Sequence, residues 1–426
     1  MTPREFLRSV QPNRASRSAG TGASAEPLEV EPGDLVGVVL MNLGGPGRRE
    51  DVEPFLYSRL MDPAEGDWGV PGVVRHVAAR ILARRRARAR ADAYEQIGGE
   101  SPLARHTAEQ ARALDGVLNR RFGAATGARF RTYVAMRHWH PSTEEAAAQM
   151  ARDGVTKVVL LPLHPHASAA TTGSSVAYWN ALCAAGELPA WPTSLVPEYA
   201  AHPTYIQALA ERVDEGLQRF PLAARPGVQV VFCAEGAPAP RPSDQNPYCC
   251  LVHATVQQVV NARAARDPRR VAHVAFLRPL VPGRALGPGL TQTLDALADD
   301  GHAHVLVVPV SFVSDRVETA YDLDVVVRAH AAAQGVTHFE VATGLNEHPL
   351  FIETLAAVVG AQVRTALGGD GATANPEGTA LVDLRPHHDP ALRTVRCETC
   401  THAAEPCDWE AMPAAVPAEA APRRAA

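Results

Sequence analysis

Residues 35–47 read LVGVVLMNLGGPG, and the architecture follows from how that stretch divides. Its first part is an unbroken run of apolar residues without polar alternation, as a parallel strand covered on both faces requires. Its second part breaks at Gly44 and Gly45, where a backbone can turn tightly and come close to a ligand. The spacing is neither that of a dinucleotide fingerprint nor that of a phosphate-binding loop. The same strand-then-turn pattern recurs at Tyr133–Arg137, Lys157–Leu163, Val228–Ala234, Val271–Leu277, His304–Ser311 and Phe339–Ala342. Amphipathic stretches such as Ala108–Arg121, Thr143–Arg152 and Thr204–Gln218 lie between them and fit right-handed crossovers. The expectation is an α/β chain whose ligand groups stand in the segments after the strands.

The 426-residue chain is 46% hydrophobic and 20% charged, with a formal net charge of −5. That composition fits a globular protein and gives no electrostatic hold on nucleic acid. Lys157 is the single lysine among otherwise arginine cations. No apolar run reaches the length of a membrane span, and the N-terminus lacks the apolar region of a secretory signal. A cytoplasmic location is therefore expected, while peripheral contact with a membrane surface and the choice of monomer or homodimer stay open. Residues 1–33 read as a disordered leader. Residues 34–190 and 191–345 read as two lobes of similar size, joined by the proline-rich stretch Pro189–Tyr199. Residues 346–367 read as a closing helix packing back on the core, and 368–426 as a low-complexity tail.

Polar groups gather after several of these strands. Arg86 and YEQIGGESPL (94–103) set an arginine, Tyr94 and Ser101 beside a double glycine; these suit a ligand carboxylate, or a solvated basic helix face. MRHWHP (136–141) carries Arg137, His138 and His140, and LHPHASAATTGSS (163–175) carries His164, His166, Thr171 and Thr172. Glu235 and Glu318 each follow a strand, and two carboxylates at adjacent strand ends suit a proton acceptor and a metal-guiding group; singly, each suits a helix cap. Cys397, Cys400 and Cys407 form a Cys-x2-Cys-x6-Cys triplet, a spacing for Zn²⁺ or an iron–sulfur centre.

From about Leu35 to Gly360 these motifs, in this order, resemble the ferrochelatases. The resemblance rests on Asn42–Pro46, Tyr94 with Ile97–Leu103, Met136–Pro141, Thr171–Ser175, Pro309–Tyr321 and Leu345–Thr354. It implies two Rossmann-like, chelatase-type lobes, each a parallel sheet flanked by helices, with a porphyrin cleft between them. It implies insertion of Fe²⁺ into protoporphyrin or coproporphyrin in haem biosynthesis. Glu318 falls on the family's glutamate for proton removal and metal delivery. Arg86, Tyr94 and Ser101 match groups that contact propionates or line the pocket mouth, with Arg137, Thr171 and Thr172 as further porphyrin contacts. The cysteine triplet resembles three ligands of a [2Fe–2S] cluster, the fourth coming from elsewhere, such as Cys183, or His402 if the ion is zinc.

Two positions depart from that pattern. Glu235, in Cys233-Ala234-Glu235-Gly236, stands where the family carries a histidine, and Arg316 replaces the histidine two residues before Glu318. Three readings follow. In the first, an apolar pocket raises the pKa of Glu235 until it can take a pyrrole proton, and His138 and His164 supply metal-binding nitrogens from the other wall. In the second, Arg316 pairs with a carboxylate and quenches it, leaving a chain that binds porphyrin or haem without metallating it. In the third, the substrate is another metal or tetrapyrrole, against which the intact Thr171–Ser175 loop argues.

Overall fold

The computed structural model describes residues 26–66, 68–237, 248–280 and 285–365. Ten strands occur among them. β1 (Leu28–Val30) precedes the first sheet, built from β2 (Leu35–Asn42), β3 (Arg129–Met136), β4 (Lys157–Pro162) and β5 (Thr193–Leu195). The second sheet holds β6 (Gln229–Ala234), β7 (Ala272–Phe276), β8 (His304–Pro309) and β9 (His338–Val341), and β10 (Val363–Thr365) follows. Each sheet is wholly parallel, in the order β3-β2-β4-β5 or β7-β6-β8-β9. The two lobes therefore share one topology, with the first strand of each flanked by its second and third. In such a sheet the crossovers diverge to either side between the first and third strands, which leaves a crevice beyond their carboxyl ends.

Side-chain alternation divides β2 between two layers. Val36, Val38 and Leu40 face an apolar core that runs on into the second lobe, and Val39 and Met41 face a separate outer cluster. Each such burial contributes roughly 1.5–3 kcal/mol. The shared core also takes Val230 and Phe232 of β6, Leu306 and Val308 of β8, and Phe351 and Leu355 of helix Pro349–Gly360. That closing helix packs on Leu103–Leu118 from the first lobe and on Pro203–Gln218 from the second. Local signals set the helix ends. Helix Thr143–Asp153 starts in a Ser142/Glu145 capping box and ends on Gly154 at φ 77°, where a residue without a Cβ is favoured.

Three short strands lie outside the expected layout. Leu28–Val30, placed in the leader, pairs in parallel with Val363–Thr365. Thr193–Leu195, placed in the connection, forms the edge of the first sheet, so the first lobe extends past residue 190. A three-residue strand carries no apolar run, and Pro192 and Pro197 bracket this one. No helix among the described residues is long and apolar enough to cross a membrane. Cys397, Cys400 and Cys407 lie outside the described residues.

Candidate active site between the lobes

The segment after the first strand of the first lobe and the segment after the third strand of the second lobe face each other across one cavity, which helices of the first lobe complete. The first lobe lines it with Gly44, Gly45, Phe55, Tyr94 and Ser101, and the second with Arg316, Val317 and Glu318. Gly44 sits at φ 88°, and a Cβ there would lie 2.9 Å from the Cβ of Trp139, so the turn after β2 has a structural need for glycine. Gly236, just after Glu235, has the same need, since a Cβ would fall 2.0 Å from the Leu277 carbonyl oxygen. Ser311 and Tyr248 fix the backbone between them. Ser311 Oγ accepts from the Glu235 amide at 2.7 Å, and Tyr248 Oη donates to the Glu235 carbonyl at 3.1 Å.

A network of charges crosses the cavity. Arg316 Nη2 donates to Glu235 Oε1 at 2.8 Å, while its Nε lies 2.8 Å from Glu318 Oε2 without hydrogen-bond alignment. From the first lobe, Arg59 binds Glu65 at 2.6 Å and reaches Glu235 at 3.5 Å. Arg90 binds Asp322 at 2.5 Å, and Arg86 donates to the Leu280 carbonyl. Helix Gly72–Gln96 is thereby tied across the cleft. Burial pushes the Glu235 carboxyl up, but Arg316 and Arg59 outweigh it and hold the pKa at about 2. The raised pKa of the first reading is not what this geometry gives; the pairing of Glu235 with Arg316 is that of the second, with Arg59 added. Glu318 is likewise held below its usual range, burial being outweighed by Arg316 and Arg90. Burial, reinforced by Glu318, raises Tyr94, which stays a neutral phenol.

The histidines occupy different places. His164 is buried, its Nε2 lacks a hydrogen-bond partner, and burial lowers its pKa to about 4 despite the opposing field of Glu235. A neutral imidazole with a free nitrogen thus stands close to the charge network. His138 is held behind the first lobe's wall, its Nδ1 bonded to Ser58 Oγ at 3.1 Å and its Nε2 3.7 Å from Asp62. Arg137 is engaged there too, bound to Asp62 at 2.9 Å and to Ser174 at 2.8 Å with its guanidinium over the Tyr178 ring. Thr171 and Thr172 sit in a π-helical turn, Ala169–Gly173, and Thr172 Oγ1 is a buried hydroxyl without a partner. Glu318 opens the corresponding π-helix of the second lobe, Glu318–Val327. π-Helical segments are rare and recur at functional sites. Arg59, Glu65, Arg90 and Asp322 were not singled out from sequence, because their role depends on which helix crosses to the other lobe.

Acid stability follows from these groups. Burial lowers His164 and His202 to about 4 and His166 to about 3, all from 6.5. The unfolded chain takes up those protons first. Stability is therefore fully present above pH 6.5 and falls as pH drops toward about 4 and then 3. The Glu235 contribution, present above 4.5, is lost as pH falls further toward about 2. Urea midpoints measured from pH 7.5 to 3.5 should decline across this window, and His164→Gln should flatten the decline.

A family model described as ferrochelatase matches residues 35–363. A ferrochelatase of Geotalea daltonii is 37% identical over 76% of this chain and 96% of its own length. One of Gloeobacter violaceus is 36% identical over the same shares, 76% and 96%. Among solved structures, SirB from Bacillus subtilis with Fe3+ is similar at TM-score 0.44 and 12% identity, over 76% of this chain and 94% of that one. On the extent of the family match and the level of identity to these relatives, the chain belongs to the ferrochelatase family.

Proposed function

We propose that the chain inserts ferrous iron into a porphyrin, protoporphyrin or coproporphyrin, in haem biosynthesis. The observation that carries this is Glu318 facing the cavity from the second lobe, opposite the first-lobe wall of Gly44, Tyr94 and Ser101. An ionised carboxylate there attracts a hydrated divalent cation and replaces part of its water shell. Insertion also needs two pyrrole protons to leave. Glu235, with its pKa held at about 2, is a poor acceptor. His164, neutral and with a free Nε2, is the better base, and it is a borderline ligand suited to Fe²⁺. Tyr94 and Ser101 are neutral donors on the opposite wall for a ligand carboxylate.

A second reading draws on the same network. Because Arg316 contacts both carboxylates, the cleft would also suit a chain that binds porphyrin or haem without metallating it. Anaerobic incubation with Fe²⁺ and each porphyrin, followed by absorbance, separates the two. Tight porphyrin binding with no metallation would leave only the second.

We extend the proposal to peripheral membrane contact. Val73, Val74, Val77 and Ile81 are exposed on helix Gly72–Gln96, with exposed Arg80 and Arg84 alongside. An apolar stripe beside arginines fits the interface of an anionic bilayer. Co-sedimentation with vesicles rich in phosphatidylserine is expected, together with its loss in Val77→Asp/Ile81→Asp; equal sedimentation of the two proteins would remove this part.

A further inference from the structure

The space between the two carboxylates of the cleft is filled by a guanidinium. Arg316 Nη2 lies 2.8 Å from Glu235 Oε1, and Nε lies 2.8 Å from Glu318 Oε2. The Arg316 side chain is 8% exposed, and its guanidinium carbon stacks 4.7 Å from the centre of the Phe312 ring. Two carboxylates brought together from two strand ends need a cation between them. A divalent metal ion is the other cation that carboxylate oxygens accept. Arginine keeps its charge at any accessible pH, so only movement of the side chain can vacate the space.

We propose that Arg316 and the incoming metal ion are alternative occupants of the position between Glu235 and Glu318, Arg316 acting as an internal counter-ion that keeps it shut. The inference rests on the reading that these carboxylates meet the metal, but it concerns the protein without porphyrin. The hold on the two sides is unequal. Toward Glu235 the guanidinium makes an aligned hydrogen bond, and toward Glu318 its Nε has no such alignment. Arg59, 3.5 Å from Glu235, remains to neutralise that carboxylate when Arg316 withdraws. Glu318 would then be left unpaired by Arg316, and the cation would meet Glu318 first. Arg316 is on this account a positioning residue, controlling when the carboxylates are free.

The test is Mn²⁺ titration of the full chain without porphyrin, followed by electron paramagnetic resonance. Manganese favours carboxylates over thiolates, which keeps the cysteines from dominating the signal. Arg316→Gln should bind one additional Mn²⁺ at least about tenfold more tightly than the unsubstituted protein, because a cation has been removed from beside two anions. The gain should vanish in Arg316→Gln/Glu318→Gln, and Arg316→Lys, which keeps the charge, should show none. Should Arg316→Gln fail to fold, Arg316→Met, neutral and without an oxygen or nitrogen ligand, provides the same comparison. No gain in the neutral variant, or a gain that survives Glu318→Gln, overturns the proposal. Porphyrin metallation is read separately. A chain that metallates porphyrin while Arg316→Gln gains no site keeps the functional reading and loses this one. A new Mn²⁺ site in a protein that never metallates does the reverse.

Discussion

On the proposed function, Glu318→Gln should lower the initial rate of metal insertion by about 10²–10³-fold, the usual cost of removing one positioned electrostatic group, while porphyrin binding is retained. Glutamine keeps the volume of the side chain and removes its charge, so the cavity wall stays in place. What is lost is the anion that draws the hydrated cation toward the ring. Arg316 keeps its aligned bond to Glu235, so the second lobe's turn stays ordered. Anaerobic absorbance kinetics give the rate, and quenching of porphyrin fluorescence gives binding. An unchanged rate would remove Glu318 from the chemistry. A collapse of binding together with rate would move its role from metal delivery to holding the macrocycle.

Arg59→Leu should cost about 3–5 kcal/mol of stability, the typical penalty for removing one partner of a buried pair. Arg59 and Glu65 are both nearly covered, at 9% and 7% side-chain exposure, and their 2.6 Å contact lies under the cavity. Without the guanidinium, Glu65 must be buried as an unpaired anion or take up a proton. Burial already raises its pKa while Arg59 is present. The double change Arg59→Leu/Glu65→Leu should recover most of the loss, since two apolar side chains replace two paired charges. Arg48→Ala makes the contrast. Its pair with Glu50 is 77% and 74% exposed, and its removal should cost no more than about 1 kcal/mol. Urea unfolding of the three variants checks the ordering. A single Arg59→Leu that unfolds like the parent would mean that water reaches Glu65.

Much of the architecture could be read from residue order, because parallel strands covered on both faces leave long apolar runs. Residues 35–41 and 304–309 show this plainly, and both are nearly wholly buried. Leu28–Val30 and Thr193–Leu195 left no such trace, being held by the register of a neighbour and not by their own composition. In the site, Glu235 and Glu318 were visible because a carboxylate after a strand end has a defined place in an open sheet. Pairing of a carboxylate with Arg316 was also foreseeable; the second guanidinium beside Glu235 was not, since Arg59 stands on helix Val52–Met61 and reaches across to the other lobe. Arg137 looked like a ligand contact from its motif alone. The structure ties it to Asp62, an acid that marks the end of a helix and gives no sign in sequence of facing it.

The apolar core common to both lobes resists their separation. Swinging the lobes apart as rigid bodies would expose that core at about 25 cal/mol for every Å² of apolar surface. Helices Val52–Met61 and Gly72–Gln96 belong to a separate cluster, which meets the second lobe through Val317, Leu280 and Tyr321. Peeling back this flap is a sub-global opening, cheaper than unfolding the domain. For a flat ligand entering by this route, arrival would be gated by the fraction of time the flap stands open. That fraction divides the intrinsic dissociation constant, and the observed association rate saturates at the opening rate instead of rising with diffusion.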